Sequence, residues 1–274
     1  MRYILFNPLS SHGKSKKYLY KIEKKLKKRN EEYKVINILD TKLEIIKNVF
    51  KEDDALILFG GDGTIHTLIN EIADLQIKSR VFVYKAGSGN DFFRDFKGKI
   101  VEVTKMIDEF PRIKYNDHEE IFINGVGSGI DAAVCNAHAS GEKGGYFRKS
   151  IQLFKKFKQF EIEVTLEDGR VIKYDDTWFV TVQHGRFFGG GMKLSPKSKR
   201  DDKTLEVCMI HKVKLGVLLF IFPLIFLGWH LLFKRVGIEI VKTNKAHVKT
   251  KYPMLQRDGE VVFDILEFDV YFKG

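Results

Sequence analysis

The amino-acid sequence predicts an α/β domain followed by a β-rich domain, and three observations support that prediction. Short apolar segments alternate with helical patterns up to about residue 110. Loops rich in glycine and polar residues follow several of those segments. Beyond Pro111 the pattern changes to short segments separated by turn residues. Wholly apolar strands that alternate with helices are typical of a parallel sheet covered on both faces. The later pattern is typical of a mostly antiparallel sheet.

The first domain is predicted to hold four strands with helices between them. The strands are residues 3–7, 35–39, 55–59 and 81–84. The helices are residues 15–29, residues 43–50 and a third that follows residue 64, each with apolar residues at helical spacing. Thr41 is the predicted N-cap of the second helix.

The second domain is predicted to begin near residue 115. Its predicted strands are residues 121–126, 161–166, 171–174, 177–182, 204–210, 238–241 and 246–250, with a closing stretch over 261–272. The sequence EDGR at 167–170 is a predicted hairpin turn. The domains are therefore expected to span 1–114 and 115–267, and residues 268–274 are expected to return to the first.

Composition excludes several classes of protein. A chain with 44% hydrophobic and 13% aromatic residues is not disordered throughout. Cys135 and Cys208 form no C-x-x-C pair and the histidines show no metal-ligand spacing, so a zinc enzyme is not predicted and a reducing cytoplasm is expected. The net charge of +11 favours an anionic partner. Nucleic acid, a nucleotide and an acidic membrane all satisfy that condition.

Residues 215–233 form a markedly apolar segment. Its 19 residues carry no formal charge, and Lys212, Lys214, Lys234 and Arg235 flank it. That length approaches the roughly 20 residues of a membrane-spanning helix. A span would place the strands before and after it on opposite sides of the membrane. Three interpretations stay open: a span, docking on a membrane surface, or a helix or hairpin buried in the protein.

Two glycine-rich loops at predicted strand ends indicate a phosphate site. GGDGT at 60–64 lies between a strand and a helix, so its backbone N–H groups can approach an anion closely. Asp62 adds a carboxylate that suits magnesium or its bound water. GSGND at 87–91 repeats this chemistry, with Ser88 and Asn90 as polar contacts. Ligands of parallel sheets bind beyond the carboxyl ends of the strands, so a nucleotide site is predicted here. The alternative is a tight turn that Asp62 only caps.

Two acidic motifs follow in the second domain. DGE at 258–260 places carboxylates on both sides of a glycine, and a hydroxyl nucleophile aimed at a γ-phosphate needs a base of this kind. The alternative is an ordinary hairpin turn. KRDDK at 199–203 can bind magnesium through a carboxylate and backbone carbonyls, or it is an exposed turn.

Taken in order, the motifs resemble the bacterial diacylglycerol kinase family of soluble lipid kinases, which is related to sphingosine kinases. The resemblance covers nearly the whole chain and rests on NPLSSHG (7–13), GGDGT, GSGNDFFR (87–94), INGVGSGIDAAV (123–134), GGGMKLSPKSKRDD (189–202) and DGE. It implies a three-layer α/β nucleotide-binding domain, like that of NAD kinases and phosphofructokinases. It also implies an antiparallel β-sandwich, with ATP in the cleft between the two domains.

The resemblance also implies roles for individual residues. It places against ATP the residues Asn7, Ser10, Ser11, Thr41, Gly60, Gly61, Gly63, Thr64, Ser88 and Asn90. It places in catalysis Glu260 as general base, Asp258 as that residue's neighbour, and Asp62. It builds a magnesium site from Asp202 and the backbone carbonyls of Lys199 and Thr204, which Asp62 would join to the phosphates through water.

The sequence departs from the family pattern at four places. Thr67 stands where the family has a carboxylate, which puts metal binding at the glycine-rich loop, or the turnover rate, in question. Ser88 stands where threonine is usual, and Lys203 where glycine is common. The segment 215–233 is more apolar than the amphipathic stretch of the family, which favours tighter membrane docking.

The predicted function is that of an ATP- and Mg-dependent lipid kinase, with diacylglycerol as the default acceptor. The lipid alcohol would be presented by an anionic membrane surface. The expected location is the cytoplasm, peripheral at the inner face of the membrane, and a homodimer is among the expected states. The rivals are an NAD kinase-like enzyme and a nucleotide- or lipid-binding regulator without turnover, which Thr67 keeps open. No nucleic acid partner is expected, because no base-reading motif accompanies the basic runs.

Overall fold

The computed structural model describes residues 1–9, 15–86, 90–139 and 151–273. The chain divides into two compact units, Met1–Glu109 and Phe110–Gly274. The division therefore lies five residues before the predicted end of the first domain at residue 114. The last strand, Glu267–Tyr271, pairs only with strands of the second unit among the described residues. The expected return of residues 268–274 to the first unit is therefore wrong for residues 268–271.

Within the described residues, the strands of the first unit form one five-stranded sheet, in the order β2-β1-β3-β4-β5. They are β1 (Arg2–Phe6), β2 (Tyr33–Asn37), β3 (Ala55–Gly60), β4 (Arg80–Lys85) and β5 (Ile100–Glu102). The first four are parallel, as predicted, and β5 is an antiparallel edge strand beside β4. Every residue of β3 is buried, which accounts for its continuous apolar sequence.

The first three helices of this unit lie between consecutive parallel strands, and the fourth follows β5. They are α1 (Ser15–Lys28), α2 (Leu43–Ile46), α3 (Asp62–Asp74) and α4 (Met106–Glu109). α1 buries Ile22 and Leu26 in a core cluster with residues of β1 and β3. The N-cap of α2 is Lys42, without a side-chain cap bond, so the prediction of Thr41 as N-cap is wrong. The backbone N–H of Thr41 instead donates to Asn37 O in the turn that closes β2.

In the described part of the second unit, eleven strands form one continuous antiparallel sheet. They are β6 (Arg112–Tyr115), β7 (His118–Ile121), β8 (Gly125–Gly129), β9 (Phe160–Leu166), β10 (Val171–Gln183), β11 (Leu205–His211), β12 (Ile238–Thr243), β13 (Lys245–Thr250), β14 (Met254–Arg257), β15 (Glu260–Phe263) and β16 (Glu267–Tyr271). β10 is one strand where two were predicted, because an irregularity between Tyr174 and Thr177 shifts its register without ending it. The predicted strand 121–126 is instead two strands separated by a loop at 122–124.

The sheet of the second unit has a core on each face. Along β11 alternate side chains enter different clusters: Val207 lies in one and Cys208 in the other. The first cluster joins residues from distant strands, including Ile113 of β6 and Leu255 of β14, so the sheet folds back on itself as a sandwich. The second cluster lies beneath two helices, α5 (Ile130–Ala139) and α6 (Leu215–Ile225).

The apolar segment 215–233 is divided between α6 and a 3₁₀ segment, Trp229–Val236. Gly228, which has a φ of +75°, separates them. No helix among the described residues is long and apolar enough to cross a membrane. One side of α6 packs into the core of the second unit, so burial accounts for part of the segment. Docking of its exposed part on a membrane stays a prediction.

Candidate active site

The predicted nucleotide-binding residues of the first unit lie at one edge of its sheet. Parallel strands end at the same edge, and polar residues follow each of the four strand ends. Asn7 follows β1, Thr41 follows β2, the GGDGT loop follows β3 and Asn90 follows β4. The structure therefore brings these predicted residues to a common edge. The predicted contacts Ser10, Ser11 and Ser88 lie outside the described residues.

Two hydrogen bonds involve the described residues at the start of the loop after β1. Asn7 Oδ1 accepts the backbone N–H of Leu9 at 2.9 Å, which is an Asx turn. The hydroxyl of Ser15, at the start of α1, donates to Pro8 O at 2.9 Å. Asn7 thus shapes the loop, and its contact with ATP stays a prediction.

The GGDGT sequence is a very short strand-to-helix turn. β3 ends at Gly60 and α3 begins at Asp62, so Gly61 alone connects them. A Cβ on residue 60 would lie 2.4 Å from Cβ of Thr64, so a side chain there would force the helix away. The first turn of a helix has backbone N–H groups without acceptors inside the helix. Together with the helix dipole they favour an anion at this end of α3.

Asp62 links the two glycine-rich loops. Its Oδ2 accepts the backbone N–H of Asp91 at 2.8 Å, and its Oδ1 accepts that of Phe92 at 3.4 Å. Asp91 is buried and lies 3.2 Å from Nε of Arg94. The sequence indicated a metal-binding or capping carboxylate, whereas the structure shows one that holds the next loop in place. Its part in catalysis with magnesium stays a prediction.

Thr67 lies one turn into α3. Its hydroxyl donates to the carbonyl of Gly63 at 3.1 Å. The side chain is exposed and serves the backbone of its own helix. It therefore brings no negative charge to the helix end where an anion is expected.

Asp258 is the centre of the candidate site in the second unit. Its Oδ2 accepts the backbone N–H of Ile123 at 2.6 Å. Its Oδ1 accepts those of Asn124 and Gly125 at 2.7 and 3.1 Å. The residue is buried, with a φ of +49°, and its own N–H donates to Gly125 O. Both carboxylate oxygens are thus engaged, so the geometry supports Asp258 as a positioning residue. Its catalytic role beside Glu260 stays a prediction.

Arg200 holds the same loop from the other side. Its guanidinium donates to Ile123 O and, at 2.7 Å, to Asn124 Oδ1. His184 completes this arrangement, because its backbone N–H donates to Asn124 O at 2.9 Å. Burial, and then the charge of Arg200, lowers the pKa of His184 to about 3, so its imidazole is neutral at neutral pH. The loop at 122–124 therefore joins the DGE turn to the loop at 198–202.

Glu260 is accessible where Asp258 is not. It is the first residue of β15, and its side chain is 50% exposed. Arg257 lies between two carboxylates: its Nη2 is 3.6 Å from Glu260 and its Nη1 is 2.7 Å from Glu120. Gly259, with a φ of +95°, allows the sharp turn between the buried and the exposed carboxylate. The turn therefore presents one carboxylate to solvent while the other anchors it.

The predicted magnesium loop brings two carboxylates, Asp202 and Glu206, toward one lysine. Asp202 Oδ2 and Glu206 Oε1 lie 4.0 and 3.9 Å from the ammonium of Lys242, so two carboxylates converge on one positive charge. Glu206 is buried and was missed by the sequence analysis. Among the described residues no group of three or more His, Cys, Asp or Glu side chains could hold a metal ion. A magnesium ion here would thus need backbone carbonyls or water as well.

The backbone around Asp202 explains one departure from the family. Lys203 has a φ of +47°, in the left-handed region that glycine adopts most readily. The N–H of Thr204 donates to Asp202 Oδ1 at 3.1 Å, which orients that carboxylate. Position 203 therefore has a backbone conformation that glycine adopts with less strain than lysine. The carbonyl ligands of Lys199 and Thr204 stay predictions.

Asp131 is a buried carboxyl to which the sequence analysis gave no role. It is the second residue of α5 and borders a cavity of about 30 Å³. Burial raises its pKa to about 7. The other residues around the cavity are Ile130, Val134, Phe154, Phe179, Phe188, Met192, Leu194, Leu218, Phe222 and Ile225. The only sequence signal was the position of Asp131 in the INGVGSGIDAAV motif.

Comparison with known proteins gives the class to which this fold and these loops belong. Residues 2–116 match the family described as diacylglycerol kinase catalytic domain. Residues 123–265, more than half of the chain, match the family described as YegS C-terminal NAD kinase beta sandwich-like domain. The chain therefore belongs to the bacterial diacylglycerol kinase-like family of lipid kinases.

Individual relatives align with this chain over nearly its full length. YtlR of Bacillus subtilis (strain 168) is 26% identical in an alignment 300 residues long. The alignment covers 95% of this chain and 93% of YtlR. Diacylglycerol kinase of Mycobacterium tuberculosis (strain H37Rv) is 26% identical over 277 residues, which cover 93% and 87%. A solved structure from Bacillus anthracis str. Sterne has a TM-score of 0.70 at 23% identity and covers 98% and 91%. That last likeness shows the fold.

Proposed function

We propose that this kinase transfers the γ-phosphoryl group of ATP to the hydroxyl of diacylglycerol and depends on magnesium. The observation that carries the proposal is the DGE turn. Asp258 is held by three backbone N–H groups, and two residues later Glu260 is half exposed. An accessible carboxylate on an anchored turn is the arrangement that a general base for a hydroxyl nucleophile requires.

The two units have different tasks in this proposal. The N-terminus of α3 and the loops at the same edge of the first sheet bind the phosphates of ATP, through backbone N–H groups and the helix dipole. Asp62 keeps the loop that begins at Asp91 in register with them. The second unit supplies proton acceptance through Glu260. Catalysis then depends mainly on positioning and on neutralisation of charge.

The proposed reaction balances without a further reactant. Glu260 accepts the proton of the lipid hydroxyl as the hydroxyl oxygen forms a bond to the γ-phosphorus. The bond from that phosphorus to the β–γ bridging oxygen breaks, and ADP leaves with the electron pair. Glu260 afterwards returns the proton to solvent. Magnesium, held by Asp202 with Glu206 nearby, would neutralise phosphate charge when bound.

The decisive experiment is Glu260→Gln in a transfer assay with labelled ATP, magnesium and mixed micelles. We expect loss of transfer by a factor of about 10²–10⁴, with ATP affinity unchanged, because a glutamine cannot accept the proton. Glu267→Gln is the matched control, since Glu267 is a carboxylate of the same unit with a side chain 66% exposed. Transfer by the Glu260→Gln variant at the rate of the control would refute the assigned base.

The acceptors in that assay decide the substrate. Diacylglycerol, a sphingoid base and a polyprenyl alcohol are tested in separate micelles, and NAD in solution. Labelled phosphatidic acid supports the proposal. Labelled NADP would make the chain an NAD kinase-like enzyme instead. ATP binding without any labelled product would support a regulator without turnover.

A further inference from the structure

Part of the apolar segment is exposed, and it forms a distinct surface. Five large apolar side chains in the stretch 220–236 are between 43% and 79% exposed: Phe220, Leu227, Trp229, Leu232 and Val236. We call these five residues the apolar surface. They all belong to one excursion that leaves β11 at His211 and returns at Ile238 of β12. His211 N–H donates to Gly237 O at 2.8 Å, which closes the base of the excursion.

The helix within this excursion lacks the polar side of an ordinary surface helix. Its inward face consists of Leu218, Ile221, Phe222 and Ile225, all buried. Its outward stripe consists of Gly216, Phe220 and Pro223, which are exposed and recur at helical spacing. A surface helix normally carries charged residues on that side. Several large apolar side chains exposed within one excursion of the chain indicate an interaction site.

The charges around the apolar surface select its partner. The stretch 212–238 contains no Asp or Glu. Lys212, Lys214 and Arg235 are exposed, and two of them, Lys212 and Arg235, line an open depression of about 590 Å³ at the base of the excursion. His211 and Glu239 line it too, and the hydroxyl of Tyr174 donates to Glu239 at 2.6 Å. Val236 of the apolar surface lines the same depression, so two of the cations border that surface.

We propose that the apolar surface docks on a bilayer that contains anionic phospholipid, with Lys212, Lys214 and Arg235 against its phosphates. A surface with aromatic and aliphatic residues in the middle and cations at the margin fits the boundary between acyl chains and headgroups. Trp229 is a residue type enriched at that boundary. A second copy of the chain fits less well, because a twofold interface would surround the shared apolar area with cations from both copies.

The proposal does not depend on the proposed kinase reaction, so vesicle binding is measured without ATP. Wild-type protein should cosediment with phosphatidylcholine vesicles that contain phosphatidylglycerol, and less with phosphatidylcholine alone. Leu232→Ser should weaken binding by about tenfold. Ile45→Ser is its control, because Ile45 is 76% exposed in the first unit and Leu232 is 79% exposed. Both side chains are at the surface, so neither variant should unfold, and far-UV circular dichroism checks this.

The basic residues are tested in the same way. Lys212→Gln and Arg235→Gln should each weaken binding to the anionic vesicles by roughly fivefold. Lys24→Gln and Lys25→Gln on the exposed side of α1 are the controls of equal charge. If the α1 variants lost about fivefold in vesicle binding and the Lys212 and Arg235 variants lost none, the proposal would be overturned in favour of α1.

Tryptophan fluorescence gives an independent readout. The chain has two tryptophans. Trp229 is 57% exposed, whereas Trp178 is 4% exposed and donates its indole N–H to Val213 O. Vesicles of the same composition with brominated acyl chains should quench Trp229, and quenching should vanish in Trp229→Phe. Bound vesicles that leave Trp229 unquenched would overturn the proposal. So would a concentration-dependent dimer that Leu232→Ser abolishes without a change in vesicle binding.

Discussion

Asp62 and Asp258 do the same structural work in the two units, over very different lengths of chain. Each follows a strand and accepts backbone N–H groups from another loop. Asp62 holds two, 29 and 30 residues away. Asp258 holds three, 133 to 135 residues away, at distances between 2.6 and 3.1 Å. Neighbouring strand ends of a parallel sheet bring Asp62 to its partners, whereas Asp258 meets its own through the pairing of β14 with β8, two strands that are far apart in the chain.

This difference predicts that replacing Asp258 destabilises the second unit more than replacing Asp62 destabilises the first. The partners of Asp258 are buried and its bonds are short, so loss of its charge leaves donors without an acceptor. Asp62 is less buried and one of its two bonds is long. The four variants below test the comparison, in order of decreasing effect.

Asp258→Asn should have the largest effect. In the asparagine variant an amide nitrogen, which donates, faces the N–H of Ile123 or Asn124 in place of an acceptor. We therefore expect the free energy of unfolding of the second unit to fall by about 4 kcal/mol. Phosphoryl transfer should fall as well, because Glu260 loses its anchored turn. Urea denaturation and amide exchange at residues 123–125 measure this. Unchanged protection of those three amides would contradict the role of Asp258.

Asp131→Asn should change the pH dependence of stability. The pKa of Asp131 is about 7 in the folded chain against 3.8 for an ordinary aspartate, so between these values the folded chain binds more protons than the unfolded chain. The stabilising contribution of the Asp131 carboxyl is therefore fully present below the ordinary pKa of 3.8 and is lost as pH rises through about 7. From about pH 5 to about pH 8 the loss from this group is roughly 2–3 kcal/mol.

The asparagine variant lacks that titration, so its free energy of unfolding should fall less over the same pH range. Denaturation at both pH values, for wild type and variant, gives the difference. An equal fall in both proteins would show that the Asp131 carboxyl is not held neutral by burial. Asp131 is a buried carboxyl of the second unit that lies outside the loop held by Asp258. Its variant therefore separates the effect of burial from the effect of anchoring that loop.

Asp62→Asn should cost about 1 kcal/mol in the first unit, because the bond to the N–H of Asp91 is short and the bond to the N–H of Phe92 is long. We expect faster amide exchange at Asp91 and Phe92, and weaker binding of ATP. Exchange at residues 123–125 serves as the internal control and should not change. A loss of stability as large as that in Asp258→Asn would break the comparison between the two carboxylates.

Lys203→Gly should have the smallest effect and opposite sign. Glycine removes the strain of a φ of +47° but increases the entropy of the unfolded chain, so a net gain of about 0.5 kcal/mol is expected. Lys197→Gly is the control, because Lys197 is exposed and is not among the residues with positive φ. It should lose stability in urea denaturation. Equal losses in both variants would show that position 203 has no need for glycine.

Most of the first unit could be predicted from the sequence because its signals are local. Four parallel strands are apolar throughout, and the GGDGT turn needs only the end of one strand and the start of one helix. The edge strand β5 was missed, since its three residues, of which two are exposed, carry no apolar pattern. Thr41 was placed as an N-cap by residue type, and the turn after β2 used its backbone instead.

The sequence by itself determined which loops are predicted to carry the chemistry: GGDGT, the residues around 88–91, the DD pair and DGE. The tertiary structure decided which of their side chains are anchors and which are accessible. Asp258 became an acceptor for the loop at 123–125, and Arg200 its counterpart, because strands far apart in the chain pair in one sheet. Residue type and spacing specify local turns, but burial and long-range hydrogen bonds depend on how the whole sheet packs. That packing left the Glu260 side chain half exposed and buried Asp258, which anchors the turn.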